Sequence, residues 1–357
     1  MKSTKNLCFL AGPGFMLNYH TQNFISSCRN NGHKVFLACL DKGDEKNMNF
    51  DFNTKRRSFL ITDIKKTLEF KKFIEQNVIK ELIFFSPKAS LIAIVVKLLL
   101  PKIKIIHWHR GIYYQNWKGI KFIMASFLDW LILKVSNKNF YCSRSQLDWL
   151  KRKKIAPQKE KFGRKYQSFK GIYQTNYQKN TRSYQFGYIG RICEDKGFND
   201  FYLLFKAVKK RKLNYSFLIK GTLDSSSKDI VDKFNEIISD NSVTYLRWDK
   251  DIDYFFRNIE IHFFPSFREG FGNVAVEAAS FGVPTIAVSG VGIDDSVSER
   301  SGVLVESRDD LILEALNMIN DKKVASNKSV SNSAMSWAIS NFDSKNIINE
   351  LVKLHGY

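Results

Sequence analysis

The sequence has few cysteines and no long apolar run. Its 357 residues include five cysteines, which are scattered, odd in number and never spaced as a CxxC pair. Neither a disulfide framework nor a structural zinc site is therefore indicated, and a reducing cytosol fits the chain. The longest apolar run, residues 90–100, contains Lys97 and is too short for a membrane span, which needs about 20 residues.

The N-terminal segment lacks the features of a secretory signal. Its apolar stretch is short, and the loop AGPG at residues 11–14 interrupts it. This loop places Gly12 and Gly14 after the first predicted strand, but no GxGxxG follows, so the fingerprint of a dinucleotide-binding protein is absent. We expect a cytoplasmic protein without a signal peptide.

Acidic residues are scarce in the first half of the chain only. Residues 1–180 hold 34 Lys and Arg against 11 Asp and Glu, a net charge of +23, and the remainder holds 22 against 24. Lysines that merely solubilise a surface would not spare the second half. The asymmetry indicates an anionic partner for the first half: nucleic acid, an anionic membrane surface or a phosphorylated substrate.

Apolar strands and amphipathic helices alternate twice along the chain. In the first half, strands are predicted at 6–11, 34–40, 57–61, 81–86, 103–108 and 138–142, with helices at about 20–31, 63–77, 88–100, 118–136 and 145–153. In the second half, strands are predicted at 184–190, 215–220, 243–248, 259–265, 283–288 and 302–305, again with helices between them. This rhythm is typical of two doubly wound α/β domains with parallel sheets.

The domain boundaries follow from this rhythm. We predict a basic N-terminal domain over 1–175, a C-terminal domain over 182–340, and a closing helix over 341–357 that packs back toward the first domain. A polar, basic and aromatic stretch without clear periodicity, 159–182, is interpreted as the end of the first domain and a linker. Two such domains leave a cleft between the carboxyl edges of their sheets, where small molecules preferentially bind.

One stretch, SFREGFGNVAVEAASFGVPTIA at residues 266–287, places two carboxylates around a glycine-rich turn. Glu269 lies on a predicted strand-to-helix loop, and Glu277 lies on the apolar helix that follows. Gly270 and Gly272 allow the backbone to approach a ligand closely. Because carboxylates accept hydrogen bonds from hydroxyls, the arrangement favours a nucleotide sugar, which has hydroxyls at both ends and diphosphate between.

A second stretch, YIGRICEDKGFNDF at residues 188–201, places cations beside a helix start. Arg191 and Lys196 follow a predicted strand on one loop. Fixed positive charge and the free N–H groups of a helix N-terminus both favour a diphosphate. Loop cations are also common as solvated surface charges. The interpretation as a diphosphate site therefore depends on the two glutamates, Glu269 and Glu277, described above.

Together these stretches resemble the signature of retaining GT-B glycosyltransferases of family 4, the glycosyl transferases group 1 type. The order YIGR…KG, then PSFREGFGNVAVEAASFGVPTIA, includes the family's Glu-x7-Glu. The resemblance is specific over about 184–305 and architectural elsewhere. It implies the GT-B fold: two Rossmann-like, doubly wound parallel-sheet domains that face a central cleft.

The resemblance also implies roles for individual residues. Arg191 and Lys196 would hold the donor diphosphate, Glu269 the hydroxyls of the donor sugar and Glu277 the ribose. The backbone of the turn would lie against sugar and phosphate; it comprises Gly270, Phe271, Gly272 and Asn273. The loop with Gly12 and Gly14 would approach the diphosphate from the first domain.

The pair His107 and His109 shares one face at the end of a predicted strand. A metal site would need a third ligand, which is not evident, and a structural role for at least one histidine is the simpler interpretation. In the resembling family a histidine here approaches the donor sugar, a role carried over to His109. The letters Asp251-Ile252-Asp253 match a DxD motif but precede a helix, so we expect no metal and no cofactor besides the sugar nucleotide.

The resemblance extends to a subgroup that builds bacterial capsule, O-antigen or oligosaccharide-lipid chains, often from UDP-hexoses or UDP-N-acetylhexosamines. It implies transfer to a hydroxyl of a lipid-linked oligosaccharide, with the acceptor on the first, basic domain. Residues 88–105 and 117–138 mix aliphatic side chains, Trp and Lys, as interfacial helices do, although both would also suit core helices. We expect a peripheral protein at the inner face of the cell membrane.

Two other functions fit parts of the sequence. A basic nucleic-acid-binding protein would explain the charge, but no recognised motif is present and the two glutamates would have no role. A GT-B nucleotide-sugar epimerase would share the fold, since fold alone does not determine function. Sugar release that needs no acceptor would favour the epimerase.

Overall fold

Two parallel sheets, one in each half of the chain, organise the structure, which is a computed structural model. It describes residues 4–41, 43, 47–54, 61–160, 183–249, 251–320 and 328–357. The chain divides into two compact units, one formed by Met1–Gly171 with Ser344–Tyr357 and the other by Ile172–Asp343.

Parallel strands form the sheet of the first unit. Its described strands are β1 (Asn6–Pro13), β2 (Lys34–Asp41), β3 (Phe50–Asp51), β4 (Glu81–Phe84), β5 (Lys104–His109) and β6 (Lys138–Tyr141). Their order is β3-β2-β1-β4-β5-β6, with every neighbouring pair parallel. β1, β2 and β4 are buried at nearly every position, as expected of strands that are covered by helices on both faces.

Helices cover this sheet. They are α1 (Phe15–His20), α2 (Gln22–Asn30), α3 (Ile61–Gln76), α4 (Pro87–Leu99), α5 (Gly119–Val135) and α6 (Arg144–Arg152). One core cluster joins Phe70 of α3, Ile92 of α4 and Ile132 of α5 to the strands. Their burial stabilises the unit by about 1.5–3 kcal/mol for each large apolar side chain.

The second unit repeats the same design. Its described strands are β7 (Tyr184–Ile189), β8 (Phe217–Gly221), β9 (Val243–Arg247), β10 (Ile259–Phe264), β11 (Thr285–Val288) and β12 (Gly302–Val305). Its helices are α7 (Phe198–Lys210), α8 (Lys228–Ile238), α9 (Asp253–Asn258), α10 (Asn273–Ser280), α11 (Arg308–Asn320) and α12 (Lys328–Phe342). The strand order, β12-β11-β10-β7-β8-β9, is the doubly wound order of the first sheet.

The chain ends in the first unit. The last helix, α13 (Ser344–His355), packs on α2. The Tyr357 hydroxyl donates a hydrogen bond of 2.7 Å to the carboxylate of Glu81, at the start of β4, and Lys5 pairs with the same carboxylate at 3.1 Å. The C-terminal residue is therefore anchored at the amino edge of the first sheet.

The predicted fold class is confirmed, with local differences. The third strand of the first sheet is Phe50–Asp51, where no strand was predicted, and α1 was not predicted either. Two residues are too few to show an apolar alternation. Of the strand predicted at 57–61, residues 57–60 lie outside the described residues, and residue 61 begins α3; the linker beyond residue 160 and the boundary at 175–182 also lie outside them.

The five cysteines, which all fall in the described ranges, are buried and form no disulfide. Within the same ranges, no helix combines the length and the apolar content that a membrane span needs.

Candidate functional site

The centre of the second sheet is where its winding reverses. β7 and β10 are neighbours, and the chain runs from β7 outward to β8 and β9 before it returns to β10 and continues to β11 and β12. In open α/β sheets, ligands bind at the carboxyl ends of strands beside such a reversal. The two stretches singled out in the sequence follow β7 and β10, so they meet at this point.

An ion pair joins the two stretches. The Nζ atom of Lys196 lies 2.5 Å from Oε1 of Glu269, although the residues are 73 positions apart in the chain. Ser266 donates a hydrogen bond of 2.8 Å to the same carboxylate oxygen. The lysine and glutamate side chains are partly exposed, so the ammonium keeps further donors for an anion and the carboxylate keeps an oxygen for hydroxyl groups.

A buried tyrosine positions the backbone of the loop after β7. The Tyr188 hydroxyl lies 2.7 Å from the carbonyl oxygen of Arg191 and 3.3 Å from that of Lys196, and burial raises the pKa of Tyr188 well above its usual value. The single hydroxyl hydrogen is therefore donated mainly to the Arg191 carbonyl, with the Lys196 carbonyl as a longer, secondary acceptor. The Arg191 side chain is exposed and approaches Asp224 only loosely, at 3.7 Å. The role of Tyr188 is not evident from the sequence, because an aromatic residue in a buried strand is typical of a hydrophobic core.

A close contact between backbones holds the two loops together. Gly197 has φ +70°, and a Cβ atom there would lie 2.0 Å from the carbonyl oxygen of Pro265, so a glycine is required for both reasons. The loops are also joined by a hydrogen bond of 3.0 Å from the Phe267 N–H to the Asp195 carbonyl. An ion pair between Arg268 and Asp195 adds to this contact. Lys196 and Glu269 are thus presented by a supported pair of loops.

The glycine-rich turn leads directly into α10. The Gly272 N–H donates to the Gly292 carbonyl at 3.1 Å, and a Cβ on Gly272 would lie 2.5 Å from the Ser296 hydroxyl. The backbone of Gly270 and Glu269 is packed in turn against Gly292, where a Cβ would come within 2.6–2.8 Å of it. The turn is therefore packed at close range against the segment around Gly292, and the approach of a ligand to Gly270–Asn273 stays a prediction. Phe271 is buried and packs against Phe342 of α12.

Glu277 lies one turn into α10 and is buried. The helix around it is buried and otherwise apolar or small, from Ala275 to Ser280. A carboxylate in such a helix needs partners, because transfer of an unpaired charge out of water is costly. Because Glu277 is buried, it is not a solvated charge on an exposed helix face.

A cavity of about 450 Å³ lies at the carboxyl ends of β8 and β9, on the side of the sheet that leads away from β10. Its lining includes Lys220, Tyr245, Arg247 and Tyr254. The Lys220 ammonium, nearly inaccessible to solvent, pairs with Asp249 at 2.6 Å. This ion pair and hydrogen bond lower the pKa of Asp249. The cavity therefore combines aromatic rings with fixed polar groups.

The Asp251 and Asp253 carboxylates near this cavity have local partners. Asp251 accepts a hydrogen bond of 2.9 Å from the Asp253 N–H, and Asp253, in the first turn of α9, pairs with Arg257 at 3.6 Å. They act as turn and helix-start residues, the role that the sequence indicated. In the part of the chain that the structure describes, no three His, Cys, Asp or Glu side chains form a group that could hold a metal ion.

In the first unit, the segment predicted as a glycine loop also lies at a reversal point, but β1 continues through Gly12 to Pro13, so only Gly14 separates the strand from α1. β1 and β4 are neighbours at the centre of the sheet. A Cβ on Gly12 would lie 3.2 Å from the Ser86 hydroxyl, and the Gly14 N–H donates to the Asp41 carbonyl at 2.8 Å. Ser86, which follows β4, adopts φ +96°, an uncommon conformation for a residue with a side chain. Backbone strain of this kind clusters at functional sites, and the Ser86-Pro87 dipeptide was its only sequence signal.

His109, at the end of β5, belongs to a closed hydrogen-bond network. Its Nε2 lies 2.8 Å from Asp129 of α5, and its Nδ1 lies 2.6 Å from the amide nitrogen of Gln146. Gln146 accepts from the Cys142 N–H through its oxygen, so its nitrogen must donate to Nδ1 and the histidine proton resides on Nε2. The Tyr114 hydroxyl also donates to Asp129, at 2.6 Å.

Both ring nitrogens of His109 are thus used inside the first unit. Burial alone would raise the pKa of Asp129, but the adjacent His109 and the hydrogen bonds from His109 and Tyr114 hold it below its usual value. The geometry makes His109 a bracing residue for Asp129 and α5. Its direct contact with a donor sugar stays a prediction.

His107 is structural. Its ring stacks on Phe84 at 5.1 Å, and burial together with the neighbouring His109 lowers its pKa to about 3, so it is neutral at physiological pH. The interpretation that at least one of the two histidines has a structural role agrees with this geometry.

Comparison with known proteins places this arrangement in a class. Residues 170–335 match the family described as Glycosyl transferases group 1. The capsular polysaccharide biosynthesis glycosyltransferase CapM of Staphylococcus aureus is 25% identical over 254 residues, which cover 67% of each protein. The two doubly wound sheets also match solved structures over nearly their full length, and these likenesses show the fold.

Two of these structures illustrate the match. Sucrose-phosphate synthase from Thermosynechococcus elongatus has a TM-score of 0.78 at 13% identity, with 98% of each chain covered. Alr3699/HepE of Anabaena, solved in complex with UDP, has a TM-score of 0.77 at 13% identity, with 98% and 99% covered.

The fold is that of the GT-B glycosyltransferases, as the sequence predicted. This chain is a glycosyltransferase, and its residues 170–335, just under half of its length, carry the match to family 4, the glycosyl transferases group 1 family.

Proposed function

We propose that the protein transfers a hexose or N-acetylhexosamine, with retention, from a UDP-sugar to a hydroxyl of a lipid-linked oligosaccharide in bacterial surface polysaccharide synthesis. The observation that carries the donor assignment is the Lys196–Glu269 pair at the reversal point of the second sheet. A UDP donor is supported by the fold neighbour that was solved with UDP, and a surface polysaccharide by the capsular relative.

The donor diphosphate is proposed to lie against the loop after β7. Lys196 and Arg191 carry the positive charge there, and Arg191 is exposed with only a loose partner at 3.7 Å. Charge builds on the diphosphate as the anomeric C–O bond breaks, and fixed cations stabilise that charge more than they stabilise the intact donor. The cations do the work that a metal ion does in other transferases.

The donor hydroxyls are proposed to bind the two carboxylates. Glu269 holds those of the sugar, next to the reacting bond, and the buried Glu277 holds those of the ribose. The backbone of Gly270–Asn273 lies between them and can approach the ligand because its glycines have no side chains. Hydrogen bonds from hydroxyls to ionised carboxylates are stronger than those to neutral acceptors.

The base is proposed to occupy the cavity at the ends of β8 and β9. A volume of about 450 Å³ with Tyr245 and Tyr254 in its lining suits a planar ring, and Arg247 and Lys220 supply donors. The aromatic rings provide stacking surface, while polar groups select the base.

In the transfer itself, the acceptor oxygen bonds to the anomeric carbon while the bond to the diphosphate oxygen breaks. The acceptor's proton passes to the departing phosphate, so no protein nucleophile is required by this proposal. The acceptor is proposed to bind the first unit, within the half of the chain that carries a net charge of +23. An acceptor joined to a lipid through phosphate groups, at an anionic membrane surface, complements that charge.

The test is release of nucleoside diphosphate from UDP-, GDP- and ADP-sugars, with and without a bacterial extract of lipid-linked oligosaccharides. We expect release from a UDP-sugar that requires the extract and is lost in Glu277→Ala. Extract-independent turnover would instead indicate an epimerase or hydrolase. Turnover of a GDP- or ADP-sugar alone would overturn the UDP assignment.

A further inference from the structure

The helix α5 is apolar on both of its faces. Its inner face is buried against the first sheet through Ala125, Ile132 and Leu133. Its outer face consists of Ile120, Ile123, Met124, Phe127 and Trp130, which are between 38% and 68% exposed. A helix that is apolar all round normally lies in a protein core or in a membrane, and this one covers a sheet with only half of its surface.

The outer face of α5 is contiguous and ordered. Its residues follow the spacing i, i+3, i+4, i+7 and i+10, which places them on one stripe. Phe127 and Trp130 stack on each other at 5.6 Å, and Trp117, exposed just before the helix, extends the stripe. Monomeric soluble proteins rarely expose such a contiguous apolar patch without an interaction partner.

The helix cannot turn this face inward. Asp129 lies on the opposite side and accepts hydrogen bonds from Nε2 of His109 at 2.8 Å and from the Tyr114 hydroxyl at 2.6 Å. It is the only acidic residue between positions 101 and 138, a segment with six lysines and one arginine. Since that carboxylate is buried, the surface around the outer face presents cations without acidic neighbours from the same segment.

Lysines frame the stripe. Lys118 and Lys121 are exposed at its start, and Lys134 is exposed at its end, with its Nζ 4.8 Å above the ring of Trp130. Aliphatic and aromatic side chains beside lysines are typical of helices that lie in the headgroup region of a bilayer. Lysine stems contribute apolar surface, and their ammonium groups reach the anionic headgroups.

We propose that the outer face of α5 inserts into the headgroup region of an anionic phospholipid bilayer. The charge complementarity selects this occupant over a second copy of the chain, because an interface between two copies of the face would bring identical lysines together. The inference rests on the proposed lipid-linked acceptor and names the surface that holds the enzyme where that acceptor lies. Of the two candidate interfacial segments, it selects 117–138, because α5 exposes five large apolar side chains along one stripe, whereas α4 exposes Leu98 and Leu99 at its end only.

The test is flotation of the full-length protein with vesicles of phosphatidylcholine alone or mixed with phosphatidylglycerol. Wild type is expected to float with the anionic vesicles, and Ile123→Glu/Phe127→Glu to lose about a hundredfold in partitioning. The matched control is Leu203→Glu/Leu313→Glu, at two apolar positions of similar exposure in the second unit, which should float like wild type. UDP affinity should be equal in all three proteins.

The outcomes separate this inference from the donor assignment. Equal flotation of the α5 variant and wild type, or no flotation of wild type, would overturn the inference while leaving UDP binding untouched. If the wild type were a dimer in solution and the α5 variant a monomer, the face would be assigned to contact with a second copy of the chain. If the wild type bound the vesicles but did not bind UDP, the proposed UDP-sugar donor would be wrong and the membrane inference would stand.

A second measurement covers the case in which the double variant does not fold. Phospholipids brominated in their acyl chains should quench the fluorescence of wild type on anionic vesicles, and the quenching should decrease in Trp130→Phe. Equal quenching in both proteins would place Trp130 outside the bilayer and contradict the proposal.

Discussion

The polar side chains at the strand ends are arranged differently in the two units: those around His109 are buried and bonded to one another, whereas Lys196 and Glu269 pair near the surface. At the end of β5, His109 is bonded through both ring nitrogens and is buried. At the ends of β7 and β10, Lys196 and Glu269 pair while staying partly exposed. Both units use the same strand order, so the difference lies in the side chains that the loops carry and not in topology.

The outer surfaces of the two halves differ in the same way. The half with a net charge of +23 carries the exposed apolar face of α5, and the half with a small net negative charge carries the charged loops at its reversal point. In the proposed function, one copy of the fold faces an anionic surface and the other binds the sugar-nucleotide donor. The predictions below probe this division of roles.

The largest expected effect is on catalysis by the second unit. Lys196→Ala removes a cation from the proposed diphosphate site, and turnover of the sugar nucleotide should fall by about 10²–10³-fold. Lys206→Ala is the matched control, because Lys206 also pairs with a glutamate, Glu236, at 2.9 Å, but on an exposed helix surface. It should change turnover by less than about twofold. Equal losses of turnover in both variants would show that Lys196 has no specific role in donor binding at the reversal point.

The next effect is on the close packing of the second unit's loops. Gly197→Ala places a Cβ 2.0 Å from the Pro265 carbonyl at a positive φ, and should lower the free energy of unfolding by about 2–4 kcal/mol. A Cβ on Gly290 meets nothing within 4 Å, so Gly290→Ala should change stability by less than about 1 kcal/mol. Urea unfolding of the two variants measures the difference. Equal stabilities would show that the loop after β7 is not held against β10.

A pH effect should be shared by both units. Burial, assisted by His109 and opposed by Asp129, lowers the pKa of His107 to about 3, and burial lowers that of His262 in β10 to about 3. The unfolded histidines take up protons below about pH 6.5 while the native ones do not. The free energy of unfolding should therefore fall, by about 1.4 kcal/mol per histidine for each pH unit between 6.5 and 3.

Urea unfolding at pH 7 and at pH 5 measures this slope. His107→Leu and His262→Leu should each reduce the loss of stability at pH 5 by about 2 kcal/mol, because each removes one of the two histidines whose native pKa is lowered to about 3. A slope unchanged in both variants would mean that the two rings are protonated in the native state.

The smallest expected effect compares a Tyr–Glu hydrogen bond in each unit. The Tyr357–Glu81 pair is buried, whereas the Tyr202–Glu236 pair is exposed. Tyr357→Phe should lower the free energy of unfolding by about 1–2 kcal/mol, because Glu81 loses a donor that water does not replace. Tyr202→Phe should cost less than about 0.5 kcal/mol. Thermal unfolding of the two variants measures both losses of stability. A larger loss for Tyr202→Phe than for Tyr357→Phe would contradict the prediction.

Much of the fold was predictable because parallel strands are buried on both faces. Strands such as β7 and β10 therefore appear as continuous apolar runs, and their predicted positions agree with the structure to within one residue. β3 was missed because a strand of two residues carries no such run. α1 was missed because it follows the loop with Gly12 and Gly14 directly, where glycines and Pro13 indicate a turn.

The sequence indicates which residues could form the candidate site, but it does not indicate their contacts. The residue types near Arg191 and Glu269 signal phosphate and hydroxyl binding, but only the sheet order brings Lys196 within 2.5 Å of Glu269. The bracing of His109 by Asp129 depends on α5, 20 residues further along the chain. The outer face of α5 could not be distinguished from a core face, because its sequence is apolar on both sides.

The central claim is that the loop after β7 holds the donor's diphosphate. Calorimetric titration with UDP and with uridine, on wild type and on Arg191→Ala/Lys196→Ala, tests it most directly, because only UDP carries the phosphates. We predict that the double variant binds UDP about a hundredfold more weakly and binds uridine as wild type does. Unchanged UDP affinity, or an equal loss for uridine, would contradict the claim.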